Sequence, residues 1–85
     1  MNISKREQRV LHALAQGGHV VRRRDERGRT TGLDCFTRDG WRLPDLSPPL
    51  FRRLRQRGFV ASSGGGPYRI TRQGIAAVRA QLDNR

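Results

Sequence analysis

Four polar side chains in one short segment carry the clearest chemistry of this sequence, namely Arg52, Arg53, Arg55 and Gln56. A guanidinium group binds a phosphate or carboxylate through two parallel hydrogen bonds. Arginine also reads the edge of guanine, and a glutamine amide pairs with adenine. We therefore predict that this segment contacts a negatively charged partner, either nucleic acid or a protein that handles nucleic acid.

The segment carries helix signals at both ends. Ser47 suits an N-cap, and Pro48 suits the first helical position, where a missing N–H costs nothing. Gly58 suits the left-handed residue just past the C-terminus. At helical spacing the apolar residues share one face, which can dock on a core: Leu50, Phe51 and Leu54. The polar side chains cover the rest of the surface, so we predict an amphipathic helix that presents guanidinium groups outward.

No constellation in the chain favours catalysis or metal binding. His12 and His19 are the only histidines and Cys35 is the only cysteine, so a zinc site and a cysteine–histidine nucleophile are both disfavoured. Asp34 and Asp39 are expected to pair with nearby arginines or to cap turns. The glycines at 64–66 lack the Gly-Lys-Ser/Thr ending of a phosphate loop. We expect neither enzymatic activity nor a cofactor.

The charge of the chain narrows the partner class further. Its 85 residues form one expected domain, with 18 basic against 7 acidic residues and a net charge of +11. Such a field attracts polyanions and acidic proteins. Solubility alone does not require so large an excess, although a GC-rich genome would also enrich arginine. A lone cysteine and the lack of a long apolar run favour a cytoplasmic protein without membrane contact.

The first half of the chain reads as a helix, a hairpin and a short strand. Ser4 and Glu7 form a capping box for a helix over about 5–16, with Val10, Leu11 and Leu14 as its buried stripe. Residues 19–36 predict a hairpin with its turn at 25–28. Residues 41–43 predict a further short strand. Cys35, Phe36 and Trp41 are expected to form a small core beneath this hairpin.

The second half reads as the arginine-bearing helix, a second hairpin and a last helix. Residues 59–70 predict a hairpin with a glycine-rich tip at 63–66. Thr71 suits the N-cap of the last helix, and Gly74 is expected to permit close packing. The buried face of this helix is predicted from three positions: Ile75, Val78 and Leu82. Alanines at 76, 77 and 80 lie opposite and could form a dimer face, while the oligomeric state itself stays open.

This order of elements predicts an α+β fold with three helices, two hairpins and one possible extra strand. The Gly-Phe-Val segment after the arginine-bearing helix, the glycine turn, and the Tyr68-Arg-Ile-Thr-x-x-Gly74 junction together resemble a winged helix. In that fold the helix before the wing is usually the recognition helix. The chain departs from the common pattern because its first hairpin occupies the place of the usual second helix.

Several longer segments resemble the YjhX toxin family in their order and spacing. They include Glu7-Gln-Arg-Val-Leu-His-x-Leu-Ala-Gln-Gly-Gly18, Asp34-Cys-Phe-Thr-Arg-x-Gly-Trp41 and Pro67-Tyr-Arg-Ile70. The resemblance covers essentially the whole chain. It implies a cytoplasmic bacterial protein that inhibits DNA topoisomerase I by protein–protein binding, of toxin–antitoxin type, with an antitoxin as a further partner.

Two functional hypotheses follow for the candidate residues. In the first, the basic surface binds an acidic surface of topoisomerase I or competes for its DNA channel, and the distinctive segment around Arg38 and Trp41 is a second candidate partner-binding surface. In the second, the chain is a winged-helix DNA-binding regulator. The arginine-bearing helix would then enter the major groove, and Arg69, beside the glycine tip, would contact phosphates.

Overall fold

The computed structural model describes residues 3–83 of the chain, with side chains for residues 3–80. Three helices are present, α1 (Lys5–Ala15), α2 (Pro48–Gln56) and α3 (Arg72–Asp83). The strands are β1 (His19–Arg24), β2 (Thr30–Phe36), β3 (Arg42–Leu43), β4 (Val60–Ser62) and β5 (Tyr68–Ile70). The predicted α+β class and order of elements are confirmed.

The two predicted hairpins belong to one antiparallel sheet, in the order β3-β2-β1-β5-β4. They meet where Val20 of β1 pairs with Tyr68 of β5. Because side chains alternate along a strand, this pairing places Val20 and Tyr68 on one face of the sheet, together with Cys35 opposite Val20. All three side chains are buried, so this is the face that carries the core.

Helices from both ends of the chain cover that face. The apolar cluster contains the predicted stripes of α1 and α2, and it adds Ala77 and Val78 of α3. Phe51 of α2 meets Tyr68 edge-on, with the ring centroids 4.9 Å apart. Leu11 and Leu54 are fully buried. The helix α2 is therefore held against the sheet by its apolar side, and its opposite side is left for other contacts.

The N-termini of α1 and α2 have the caps that the sequence predicts. The Glu7 N–H donates to Ser4 Oγ at 3.1 Å, and the Leu50 N–H donates to Ser47 Oγ at 3.4 Å. Glu7 completes the capping box by accepting from the Ser4 N–H at 3.4 Å. At the end of α2, Gly58 has a φ of 74°, the left-handed conformation that stops the helix there.

The junction between α2 and α3 is closely packed. The Thr71 hydroxyl donates to the Gly58 carbonyl at 2.6 Å and accepts from the Gly74 N–H at 3.0 Å. A Cβ on Gly74 would stand 2.5 Å from the Phe59 carbonyl oxygen. The predicted close packing at Gly74 is confirmed, because only a residue without a side chain leaves room for that carbonyl.

Two sequence-based expectations about buried residues are wrong. Trp41 does not join Cys35 in a core: Cys35 is fully buried and Phe36 half-buried, but Trp41 is 74 % exposed. Ala77 is buried against α1 and the sheet, so it cannot take part in the dimer face expected on α3. Ile75 is only half-buried, and the side chain of Leu82 lies outside the described side chains.

Candidate partner-binding surface

All four predicted polar residues of α2 are exposed, and among them Arg53 is the one that lies beside a carboxylate of the described residues. Arg52, Arg55 and Gln56 are exposed, and no carboxylate of the described residues forms an ion pair with either arginine. Arg55 lies over two aromatic rings, with its guanidinium carbon 6.0 Å from the Phe51 centroid and 5.5 Å from that of Tyr68. These contacts hold the Arg55 head group at the surface.

Arg53 occupies a different environment. Its Nε lies 3.9 Å from Oε1 of Glu7, and Arg57 Nη1 lies 3.4 Å from the other oxygen of the same carboxylate. The Glu7 side chain is only 6 % exposed. Glu7 therefore links α1 to the C-terminal end of α2. Arg53 is exposed, as its position off the apolar face of the helix predicts, but it also lies beside this buried carboxylate.

Arg22 of β1 joins the exposed residues of α2, although sequence reasoning did not single it out. It pairs in register with Leu33 and is on the same face of the sheet as Val20, the face against which α2 packs. Its guanidinium carbon lies 5.8 Å from the Tyr68 centroid. We call Arg22, Arg52, Arg55 and Gln56 the arginine surface. Alternation along β1 could have indicated that Arg22 follows Val20 onto the core face.

Arg69 does not join the arginine surface. It is exposed and lies between Tyr68 and Ile70, which both turn toward the core face, so Arg69 points to the opposite face of the sheet. The structure thus separates Arg69 from the α2 residues with which the winged-helix interpretation grouped it.

On the outer face of the sheet, part of the positive charge is neutralised by a carboxylate of the same face. Asp34 Oδ2 lies 2.9 Å from Arg23 Nε, and Asp34 Oδ1 lies 3.2 Å from Arg42 Nε. The expectation that Asp34 pairs with nearby arginines is confirmed. Asp25 in the first hairpin turn accepts from the Arg27 and Arg29 N–H groups, both at 2.9 Å. Asp34 thus engages the guanidinium groups of Arg23 and Arg42, which are less available to a partner than Arg52 or Arg55, whereas Asp25 binds only backbone N–H groups and stabilises its turn.

Arg38 and Trp41 lie on a closed turn between β2 and β3. The Thr37 N–H donates to the Trp41 carbonyl at 2.8 Å, and the Trp41 N–H donates to Thr37 Oγ1 at 3.1 Å. The aliphatic part of Arg38 packs over Gly17 at the end of α1. A rigid backbone therefore presents the exposed Trp41 ring to solvent, and we call residues 37–41 the tryptophan turn.

Reactive chemistry is sparse in the described part of the chain. Burial raises the pKa of the Cys35 thiol to about 11, so the thiol stays protonated and unreactive at neutral pH. Among residues 3–83 no group of three His, Cys, Asp or Glu side chains is placed to hold a metal ion. No helix of that range is long and apolar enough to cross a membrane.

Comparison with known proteins shows the family to which the chain is related. The model of the YjhX toxin family, described as "Putative toxin of bacterial toxin-antitoxin pair", matches residues 1–85. The chain belongs to the YjhX toxin family. The resemblance seen in the sequence is therefore confirmed, and the family points to a toxin–antitoxin system rather than to a known enzyme class.

Several bacterial proteins match the full length of the chain. A UPF0386 protein of Caulobacter vibrioides is 58 % identical over 85 residues, which cover 100 % of this chain and 93 % of the relative. UPF0386 proteins of Chelativorans sp. and Parvibaculum lavamentivorans are 55 % and 58 % identical, with 100 % of both chains covered in each case. No solved structure matches the chain.

Proposed function

We propose that the protein is the toxin of a toxin–antitoxin pair and inhibits DNA topoisomerase I by binding it through the arginine surface. The observation that carries this proposal is the set of exposed guanidinium groups at Arg52 and Arg55, which lack a carboxylate partner among the described residues. Membership of the toxin family supports the toxin role, and the resemblance to that family suggests the target.

The chemistry of the surface suits a protein partner. Arginine is enriched at the centres of protein interfaces, where its planar head group both stacks and donates several hydrogen bonds. Arg55 already stacks on Phe51 and Tyr68, so little side-chain freedom is lost when it binds. A net charge of +11 favours association with an acidic surface of the enzyme.

Plasmid relaxation tests this proposal directly. Purified protein is added to topoisomerase I and negatively supercoiled plasmid, and relaxed products are followed on a gel. We expect inhibition at near-stoichiometric ratios to the enzyme, since the protein acts on the enzyme and not on the plasmid. Inhibition that scales with plasmid concentration instead would indicate that the protein merely coats DNA. Unchanged relaxation at a large excess of folded protein would refute the proposal.

The tryptophan turn is a second surface, and we assign it to the antitoxin. Trp41 is 74 % exposed on a closed turn, and large exposed aromatic residues are typical anchors of protein interfaces. Beside it, the end of α1 and residues 37–39 line an open depression of about 880 Å³. This depression shares no lining residue with the arginine surface, so an antitoxin could bind here while the arginine surface remains free.

We expect Trp41→Ala to abolish capture of the antitoxin without unfolding the protein, because the ring is outside the core. The measurement is co-purification with the product of a neighbouring gene, together with a thermal unfolding curve. The control is Trp41→Phe, which keeps an aromatic anchor and should retain part of the binding. Equal capture by Trp41→Ala and the wild type would exclude the turn as the antitoxin contact.

DNA binding in the manner of a winged helix is the alternative function. It is favoured by one observation: α2 presents Arg52, Arg55 and Gln56 outward and is followed at once by the glycine-tipped hairpin of β4 and β5. In this alternative α2 is the recognition helix and the hairpin is the wing. The position of Arg69 on the opposite face of the sheet counts against a contact shared by both elements.

A fluorescence anisotropy titration of duplex DNA over a salt series tests the alternative. Phosphate contacts predict an affinity that falls steeply as salt increases, with a slope that becomes shallower when Arg52 is replaced by Gln. Absence of binding to duplexes of varied sequence at low salt would exclude the alternative and leave the inhibitor proposal intact.

A further inference from the structure

A small pocket lies between the β1–β2 hairpin and the first turns of α2. Its cavity is about 170 Å³, and three arginines and three apolar residues account for most of its lining: Arg22, Arg52, Arg55, Leu33, Pro48 and Phe51. We call it the arginine pocket. No acidic side chain lines it, so three positive charges share one concave site without compensation from the described residues.

Arg22 carries an unsatisfied hydrogen-bond donor in this pocket. Its Nε is buried and has no hydrogen-bond partner among the described residues. The neighbouring Arg23 shows the contrast, since its Nε meets Asp34 at 2.9 Å. A buried donor of a charged group is costly when it is unpaired, so the pocket gains free energy when an anion accepts from it.

The backbone around the pocket offers no alternative donor at the start of α2. Pro48 and Pro49 have no N–H, and the Leu50 N–H already donates to Ser47 Oγ at 3.4 Å. Apart from the Thr30 hydroxyl, the side-chain donors that line the pocket are therefore the three guanidinium groups. Tyr68 orients two of them, because Arg22 and Arg55 both lie against its ring, at 5.8 and 5.5 Å from the centroid.

The shape of the pocket distinguishes a carboxylate from a nucleic-acid phosphate. Leu33, Pro48 and Phe51 form apolar walls, which suit the methylene groups of a glutamate or aspartate side chain. The cavity has room for one such side chain. Duplex phosphates instead run in rows along a convex backbone, and exposed cations on an open surface meet them more readily.

We propose that the arginine pocket receives a glutamate or aspartate side chain from an acidic segment of a protein partner, with Arg22 as its specific anchor. The proposal deepens the inhibitor function and rests on it, since the pocket opens at the arginine surface. It assigns to Arg22 a binding role, and it makes the partner an acidic peptide segment rather than a duplex.

A fluorescein-labelled octaglutamate peptide is the probe, titrated with full-length protein at low salt and followed by anisotropy. We expect Arg22→Gln to weaken binding about tenfold or more, a typical effect of losing a charge-assisted hydrogen bond to a buried site. The matched control is Arg69→Gln, which removes the same charge from the opposite face of the sheet and should weaken binding less than about twofold. Thermal unfolding establishes that each variant is folded.

A second variant keeps the test valid if Arg22→Gln does not fold. Arg22→Lys retains the positive charge but lacks the Nε–H and the planar fork, so peptide binding should again fall by about tenfold. Retention of wild-type affinity by Arg22→Lys would show that only charge matters and would overturn the proposal.

Two other outcomes would also overturn it. If Arg22→Gln and Arg69→Gln reduce the affinity for the peptide equally, the peptide responds only to the total charge of the protein and not to the pocket. An Arg22→Gln effect on a 20-base-pair duplex that equals or exceeds the effect on the peptide would identify a phosphate site instead.

The relaxation assay separates failure of the pocket from failure of the inhibitor function. If the wild type and Arg22→Gln inhibit topoisomerase I equally, the inhibitor function stands and the pocket has no role in it. If the wild type does not inhibit, the inhibitor function fails, while the peptide titration still decides whether the pocket binds a carboxylate.

Discussion

Glu7 shows how one side chain serves two elements. Its carboxylate closes the capping box of α1 and accepts a hydrogen bond from Arg57 at 3.4 Å, 50 residues away. The capping role was predictable, because Ser4 and Glu7 are three residues apart. The link to α2 was not, because it depends on how the two helices pack. Arg53, beside the same carboxylate, is for this reason a poor choice for testing the arginine surface.

Cys35 makes stability depend on pH in the alkaline range. Burial raises the pKa of its thiol from 9.0 to about 11 in the folded protein. Between these values the unfolded chain loses the thiol proton and the folded chain keeps it, so the free energy of unfolding falls as pH rises, by about 1 kcal/mol per pH unit. Well below pH 9 the thiol is protonated in both states and contributes no pH dependence.

Urea unfolding of the wild type and of Cys35→Ala at pH 8, 9, 10 and 11 measures this effect. We expect Cys35→Ala to be less stable than the wild type at pH 8 because it leaves a cavity, but its stability should lack the pH dependence due to the thiol. The difference between the two proteins should therefore narrow from pH 9 to pH 11. A constant difference would show that the thiol ionises equally in both states.

At the scale of elements, the α2–α3 junction reverses an ordinary rule of helix stability. Replacing a glycine within a helix by alanine usually stabilises it by up to about 1 kcal/mol. At Gly74 the added Cβ would stand 2.5 Å from the Phe59 carbonyl oxygen and 2.7 Å from Ile70 Cγ1. We expect Gly74→Ala to destabilise the protein by about 1–3 kcal/mol, because the junction must open to admit the methyl group.

Chemical denaturation of the wild type and of Gly74→Ala shows whether the substitution lowers or raises the free energy of unfolding. Ala76→Gly, at an exposed position of the same helix, is the matched control and should show only the ordinary propensity cost of about 1 kcal/mol. An increase in stability for Gly74→Ala would mean that α3 can shift away from Phe59 at little cost.

The predictability of each element follows from the range of the contacts that define it. The ends of α2 were predictable because Ser47 and Gly58 act on their immediate neighbours. The joining of the two hairpins was not, since it depends on Val20 meeting Tyr68 across 48 residues of chain. Trp41 was misplaced because an isolated aromatic residue has no periodic pattern to show whether it faces the core.

The arginine pocket was missed for a related reason. Arg22 lies in a run of three arginines, and charge alone does not distinguish them. In the structure the strand alternation turns Arg22 to the core face and Arg23 to Asp34 on the other face. Sequence reasoning thus identified the half of the surface that belongs to α2, where helical periodicity separates polar from apolar residues, and missed the half that belongs to the sheet.

At the scale of the whole molecule, the question is whether inhibition depends on total charge or on its placement. The double variant Arg52→Gln, Arg55→Gln removes two charges from the arginine surface, and Arg72→Gln, Arg79→Gln removes two from exposed positions of α3. The two double variants have the same net charge, so an interaction that depends only on total charge would lose the same amount of inhibition in each. We expect the Arg52→Gln, Arg55→Gln protein to inhibit plasmid relaxation about tenfold less or weaker still, and the Arg72→Gln, Arg79→Gln protein to lose less than about threefold.

Raising the salt concentration should reduce inhibition by the α3 double variant and by the wild type to the same extent, because both proteins keep the arginine surface intact. Equal losses for the two pairs in folded proteins would show that charge, and not the arginine surface, determines the interaction.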